Sequence, residues 1–83
     1  MDQKAFITFA KAIVCECTDA DISEKDVYVV WYCKTLQNQK ALLGTPVHDG
    51  KYFEVTYNGD KEQIYFDEYV KSKNVCYEVS NLK

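Results

Sequence analysis

The segment that most constrains this fold is residues 27–34, which read Val-Tyr-Val-Val-Trp-Tyr-Cys-Lys. β-Branched and aromatic side chains dominate it, and these are the types enriched in strands. Strand periodicity assigns alternate residues to opposite faces, with Val27, Val29, Trp31 and Cys33 on one and Tyr28, Val30, Tyr32 and Lys34 on the other. Because both faces are largely apolar, the segment is predicted to be a central strand of a sheet.

An amphipathic helix is predicted before this strand, from Asp2 to about Cys17. Apolar residues recur there at steps of three and four, at Phe6, Phe9, Ala10, Ile13 and Cys17. Ile7 and Val14 widen the apolar stripe. A stripe of this width is typical of a helix lying flat on a sheet.

Three further strands are predicted after a polar turn at residues 35–39. The first covers residues 40–45, and the other two form a hairpin from residues 52–57 and 60–67. Asn58-Gly59 separates the hairpin strands and is a strong signal for a two-residue turn. That turn pairs Phe53 with Ile64 and Tyr52 with Tyr65.

A short C-terminal helix is predicted for residues 67–74, because acids lead the segment and lysines close it, as the helix dipole prefers. Residues 75–79 suit a tail or a last edge strand. With 83 residues, the chain is too short for two stable cores. We therefore predict one α+β domain over residues 1–83, with the N-terminal helix packed on a four-stranded antiparallel meander, followed by the short helix and tail.

Charge and composition disfavour two classes of partner. The net charge is −3, and all ten basic residues are Lys. Arg supplies the bidentate contacts to guanine and phosphate, so its absence argues against duplex DNA recognition. The longest apolar run, residues 27–33, is far shorter than the roughly 20 residues of a membrane-spanning helix. We expect no membrane association, no secretory signal and a cytoplasmic protein with free thiols at its four Cys.

Metal and catalytic sites have little support in the sequence. Cys15 and Cys17 diverge on a helix instead of forming a zinc knuckle on a turn. The acidic stretch from Asp19 opens like a calcium loop but has Glu24 where that loop needs Gly. His48 has no neighbouring nucleophile motif. We expect a non-enzyme without metal or cofactor.

The aromatic residues are the best candidates for a binding site. One helix covers one face of a sheet, so the other face is expected to expose an aromatic patch. The candidate patch is Tyr28, Tyr32, Tyr52 and Tyr65, and the alternative is the opposite face with the residues that alternate with them. A second candidate is an acidic edge formed by Asp19, Asp21, Glu24 and Asp26. The tyrosine face has four candidate occupants: the C-terminal helix, a second copy in a homodimer, a protein partner, or bases stacked with help from Lys34, Lys40 and Lys61.

Three stretches of the sequence resemble a known family. They are residues 29–43 (VVWYCKTLQNQKALL), residues 49–61 (DGKYFEVTYNGDK) and residues 74–76 (NVC). The stretches are similar to small uncharacterised proteins encoded by phages and prophages of Gram-positive bacteria. The resemblance spans residues 26–76 and leaves the N-terminal helix only loosely matched.

This resemblance implies a setting, the cytoplasm of an infected bacterium, and transfers no catalytic or binding residue. Many small phage proteins bind a host component. The function expected from the sequence is therefore a non-catalytic phage or prophage protein that binds a protein partner, from host or phage, and inhibits a host defence or host enzyme. The alternative is a nucleotide or single-strand binder that uses the exposed tyrosines.

Overall fold

The computed structural model describes residues 1–18 and 21–82. Its elements are helix α1 (Gln3–Cys17), a 3-10 turn (Glu24–Asp26), strands β1 (Tyr28–Thr35), β2 (Asn38–Gly44), β3 (Lys51–Asn58) and β4 (Gln63–Val70), and a second 3-10 turn (Val79–Leu82). The predicted α+β architecture is confirmed: α1 packs on one face of a four-stranded antiparallel sheet, chiefly on β2 and β3.

Helix α1 begins where the sequence predicts it. The Asp2 carboxylate caps it by accepting a hydrogen bond from the Ala5 amide at 2.8 Å. Phe6, Ala10 and Val14 are fully buried against the sheet. Phe9 was predicted to share this stripe, but it is 54% exposed. It lies about 100° around the helix from Ala10, the centre of the buried stripe, and so points away from the sheet.

The strand order is β1-β2-β3-β4, so β1 is an edge strand and not the predicted central one. A β-bulge lies between Val29 and Trp31, where the pairing with β2 shifts by one residue. Bulges are typical of edge strands because they interrupt regular pairing with further strands. The apolar character of both faces of β1 therefore reflects packing on α1 and an exposed apolar surface, not a central position.

The β3–β4 hairpin has a longer loop than predicted. Four residues, 59–62, connect the strands, and Asn58 pairs with Gln63. The Asn58 side chain accepts hydrogen bonds from the amides of Asp60 and Lys61, at 3.1 and 3.2 Å, which stabilises the wider turn. The predicted pairing of Phe53 with Ile64 is wrong, because Phe53 pairs with Glu68. The register differs by four, an even number, so every side chain keeps its predicted face.

The predicted short C-terminal helix is absent. Residues 67–70 instead complete β4, where Tyr69 pairs with Tyr52 and Val70 with Lys51. Ion pairing between Lys51 and Glu68, with Nζ and Oε2 3.7 Å apart, joins β3 to this end of β4. A regular partner strand therefore overrides the local charge pattern that favours a helix. Residues 71–78, named here the C-terminal arm, follow without helix or strand and are exposed throughout.

A compact apolar core lies between α1 and the sheet. Its fully buried members are Phe6, Ala10, Val14, Val27, Ala41, Leu43, Phe53 and Val55. Besides Thr45, the polar residue Gln39 is also buried, at 2% exposure. Its amide donates to the Met1 carbonyl at 2.7 Å and accepts from the Tyr32 hydroxyl at 2.6 Å. This network joins the N-terminus to β1 and β2.

Candidate protein-binding face

The sheet face opposite α1 is uncovered in the described part of the chain, and we call it the open face. The observed registers arrange its side chains in rows across the four strands. The first row contains Tyr28, Gly44, Tyr52 and Tyr69. Gly44 is placed opposite Tyr52 by continuing the β2–β3 register one residue beyond the pair Leu43 and Phe53. The next row contains Trp31, Leu42, Glu54 and Asp67, and the third contains Cys33, Lys40, Thr56 and Tyr65.

Aromatic rings dominate the open face. Their exposed fractions are 49% for Tyr28, 41% for Trp31, 36% for Tyr52, 52% for Tyr65 and 50% for Tyr69. Each ring is thus anchored on the sheet and still has a large accessible surface. Monomeric proteins rarely retain a contiguous aromatic patch of this kind without a binding role.

Gly44 shapes one end of the patch. A Cβ at this position would lie only 2.6 Å from the ring carbon Cζ and the hydroxyl of Tyr28. The Tyr28 ring therefore lies directly over the backbone of Gly44, which an adjacent strand can allow only where no side chain intervenes. As a result, Tyr28 leans inward from the edge strand toward Tyr52.

Glu54 is the electrostatic centre of the open face. Its Oε1 lies 3.5 Å from Nζ of Lys40 and accepts a hydrogen bond from the Tyr69 hydroxyl at 3.3 Å. The negative charge of Glu54 is the main reason that the pKa of Tyr69 is raised above its ordinary value, with desolvation and the charge of Asp67 adding to the effect. The face therefore presents two carboxylates against the single ammonium of Lys40.

Tyr32 does not belong to this face, contrary to the sequence prediction. The bulge at Val30 moves Tyr32 to the helix side, opposite Ala41, and places Trp31 on the open face opposite Leu42. The Tyr32 ring packs on the Phe6 ring, with the two ring centroids 5.9 Å apart. Desolvation by this packing is the main cause of a raised pKa for the Tyr32 hydroxyl. Tyr32 is thus a structural residue, whereas Tyr28, Tyr52 and Tyr65 lie on the open face as predicted.

Replacing Tyr32 with Phe is expected to lower the free energy of unfolding by about 1–3 kcal/mol at pH 8, because Oε1 of buried Gln39 loses its donor. The raised pKa adds a pH dependence. The Tyr32 hydroxyl loses its proton at lower pH in the unfolded chain than in the folded chain. The stabilisation that Tyr32 provides in the wild type is therefore fully present below pH 10.0 and is lost as the pH rises through the pKa of the folded state. Urea titrations from pH 8 to 11 measure both effects.

Tyr65→Phe is the matched control, since its hydroxyl donates only to exposed Gln63. We expect this control to change stability by less than about 0.5 kcal/mol. Equal stabilities for the Tyr32→Phe and Tyr65→Phe proteins, with equal alkaline slopes, would contradict the role assigned to the Tyr32–Gln39 bond.

Sequence reasoning missed two aromatic members of the open face. Trp31 was assigned to the opposite face because strict alternation cannot register a bulge, and no local residue signals one at Val30. Tyr69 was assigned to the short helix. Its position was available from the strand pattern, since Ile64 and Phe66 alternate with Tyr65, Asp67 and Tyr69.

The predicted acidic edge lies apart from the tyrosines. Asp19 lies outside the described residues, and Asp21 is exposed in the connection after α1. Glu24 and Asp26 belong to the 3-10 turn beside α1, and Asp26 accepts a hydrogen bond from the Ser23 amide at 3.3 Å. Their charges add to desolvation in raising the pKa of Cys15 on the helix. These acids are therefore in the helix layer, and the acids of the open face are Glu54 and Asp67.

The described residues contain no cluster of metal-ligating side chains. Across residues 1–18 and 21–82, no three His, Cys, Asp or Glu side chains are close enough to hold a metal ion. His48 interacts with the Thr45 hydroxyl through Nδ1 and meets the Phe53 ring edge-on at 5.3 Å. It therefore has a packing role in the β2–β3 loop. All four cysteines are free thiols.

Comparison with known protein families gives a match over most of the chain. A protein family described as a family of unknown function, DUF6275, matches residues 3–79, which include α1, the whole sheet and the C-terminal arm. No curated protein and no solved structure matches the chain. Within the described residues, no helix is long and apolar enough to cross a membrane.

Proposed function

We propose that this chain, which belongs to the DUF6275 family of unknown function, is a non-catalytic module that binds a protein partner through its open face. The observation that carries the proposal is the set of five half-exposed aromatic rings on one sheet face. Tyr and Trp are enriched in the energetic centres of protein interfaces because they combine a large apolar area with a polar atom.

The charges on the open face favour a protein over a nucleic acid. Lys40 is the only cation in its three rows, and it is engaged by Glu54. Lys34 lies on the helix side opposite Gln39, and Lys61 lies in the β3–β4 loop. Single-strand binding requires cations along the phosphates beside the stacking rings. The partner that fits is an apolar protein surface with a basic residue placed for Glu54 and Asp67.

The proposed setting is a bacterium infected by a phage or carrying a prophage. The resemblance of residues 26–76 to phage and prophage proteins supports this setting. The partner is then a protein of the host cytoplasm or of the phage itself. Occupation of a host defence protein or host enzyme by this module would inhibit it.

The proposal is tested by pairing partner capture with variants of the open face. The tagged chain is used to recover bound protein from bacterial lysate with nuclease present, and the affinity for the purified partner is then measured by calorimetry. We expect the double variant Trp31→Ala/Tyr69→Ala to weaken binding about 100-fold or more, because truncation of each central aromatic costs about 2 kcal/mol. Circular dichroism verifies that the variant folds.

Phe9→Ala is the matched control, since Phe9 is equally exposed but lies on α1, away from the open face. This variant is expected to bind as the wild type does. Full affinity of the Trp31/Tyr69 variant, or equal loss in the Phe9 control, would overturn the proposal. Binding lost on nuclease treatment, with an affinity that falls steeply with salt, would overturn it in favour of single-strand recognition.

A further inference from the structure

The C-terminal arm has the pattern of a strand but no strand partner among the described residues. Val75 and Tyr77 alternate with Asn74, Cys76 and Glu78, so one side of an extended arm is apolar. The Val75 and Tyr77 side chains are 54% and 70% exposed. Exposure of both has no stabilising role in an isolated monomer.

The arm projects from the rest of the molecule. The radius of gyration is 15.1 Å, compared with about 12 Å for a compact domain of this length. At the start of the arm, the Lys71 amide donates a hydrogen bond to the carbonyl of Gly50, the residue before β3, at 2.7 Å. Beyond Lys71, the arm continues from the end of β4 into solvent.

The outer edge of β4 is the better of the two sheet edges for accepting a strand. The edge at β1 is interrupted by its bulge, which hinders regular pairing. By contrast, β4 pairs with β3 without interruption from Gln63 to Val70 and has no neighbour on its other side among the described residues. Its eight residues equal the eight of the arm in number.

We propose that two copies of this chain exchange C-terminal arms, each arm adding as an antiparallel fifth strand to the outer edge of β4 in the other copy. The two-fold axis would pass near the junction of β4 with the arm. Charges support this arrangement, because Lys71 and Lys73 lie near the start of the arm whereas Asp67 and Glu68 lie near the end of β4. Antiparallel pairing about the junction brings the lysines of one copy to the acids of the other.

Exchange would satisfy both unpartnered features. Backbone groups on the outer edge of β4 would gain hydrogen bonds, and the apolar side of the arm would extend one face of the sheet beside β4. This self-association involves the edge of the sheet and the arm. Because Asp67 and Tyr69 lie on β4 and also on the open face, the added arm would adjoin the partner-binding surface.

Sedimentation velocity of the full chain in reducing buffer tests the proposal. The expected species has twice the 9.6 kDa mass of the chain. The Lys71 amide faces Gly50, so the even-numbered amides of an extended arm face the outer edge, where the other copy pairs. The double variant Asn74→Pro/Cys76→Pro should therefore sediment as a monomer, because proline cannot donate a strand hydrogen bond. Asn74→Ser/Cys76→Ser is the matched control and should remain a dimer. Both sites are exposed in the monomer, so the prolines do not disturb its fold.

Charge reversal tests whether the arms cross between copies. Lys71→Glu/Lys73→Glu and Asp67→Lys/Glu68→Lys should each weaken homodimerisation at least tenfold, because like charges then meet at both contacts. An equimolar mixture of the two variants should restore the dimer, because each arm again meets the opposite charge. A monomeric wild type at about 0.5 mM, a dimer that survives the two prolines, or a mixture that stays monomeric would overturn arm exchange.

Discussion

Replacing Phe53 with Ala is expected to lower the free energy of unfolding by about 3–5 kcal/mol. Phe53 is fully buried, stacks on Phe66 with ring centroids 5.8 Å apart and meets His48 edge-on. Truncation therefore removes contacts to the core, to β4 and to the β2–β3 loop together. For a domain of this size, total stability is about 4–12 kcal/mol. Urea denaturation followed by circular dichroism measures the change.

Tyr52→Ala is the matched control for this prediction. Tyr52 is the preceding residue of β3, has an aromatic ring of similar size and lies on the open face with 36% exposure. Its truncation is expected to cost less than about 1.5 kcal/mol, because part of the ring is already in water. Similar losses for the two variants would contradict the assignment of the helix side as the single core of the domain.

The second large effect is expected at Gly59. A Cβ at this position would clash with the carbonyl oxygen of Gln37, in the turn between β1 and β2. The tips of the two hairpins touch there, and the Gly59 amide also donates to Oδ1 of Asn38 at 3.2 Å. Gly59→Ala must separate the tips by more than 1 Å to reach an ordinary contact of 3.4 Å. We expect a loss of about 1–3 kcal/mol, typical of overpacking.

The clash expected in Gly59→Ala involves the backbone of Gln37 and not only its side chain. Because the closest atom is a backbone oxygen, truncating the Gln37 side chain cannot remove the clash. The double variant Gln37→Gly/Gly59→Ala is therefore expected to recover little of the stability lost in Gly59→Ala. Asp60→Ala, at the neighbouring exposed position, serves as the neutral control. Wild-type stability of Gly59→Ala, or full recovery in the double variant, would show that the tips separate freely.

The role of Gly59 also illustrates how a correct local signal can have a different physical cause. Asn58-Gly59 indicates a hairpin, and a hairpin is present. The two-residue turn expected from this pair would need positive φ at both central residues. In the structure, the positive φ of this loop is at Glu62, and Gly59 is required for close approach to another hairpin. That requirement depends on a residue 22 positions earlier and has no local signature.

Sequence patterns alone determined α1, the four strands and most of their faces. Helical periodicity located α1, and strand periodicity identified four strands whose bounds agree with the structure to within three residues. The predicted faces of the β3 and β4 side chains are correct although the predicted register is wrong by four residues, because side chains alternate between faces with a period of two. These features depend on neighbours close in the chain, which is why local patterns predict them.

Only the tertiary structure decided which rings form the open face and which strands lie at the edges. The bulge at Val30 exchanges the faces of Trp31 and Tyr32, and pairing with β3 keeps Tyr69 in a strand. Both outcomes depend on hydrogen bonds to a neighbouring strand whose register is set by packing on α1. Local preferences are weak compared with the free energy of a completed ladder and a filled core, so long-range contacts determined the surface on which the proposed function rests.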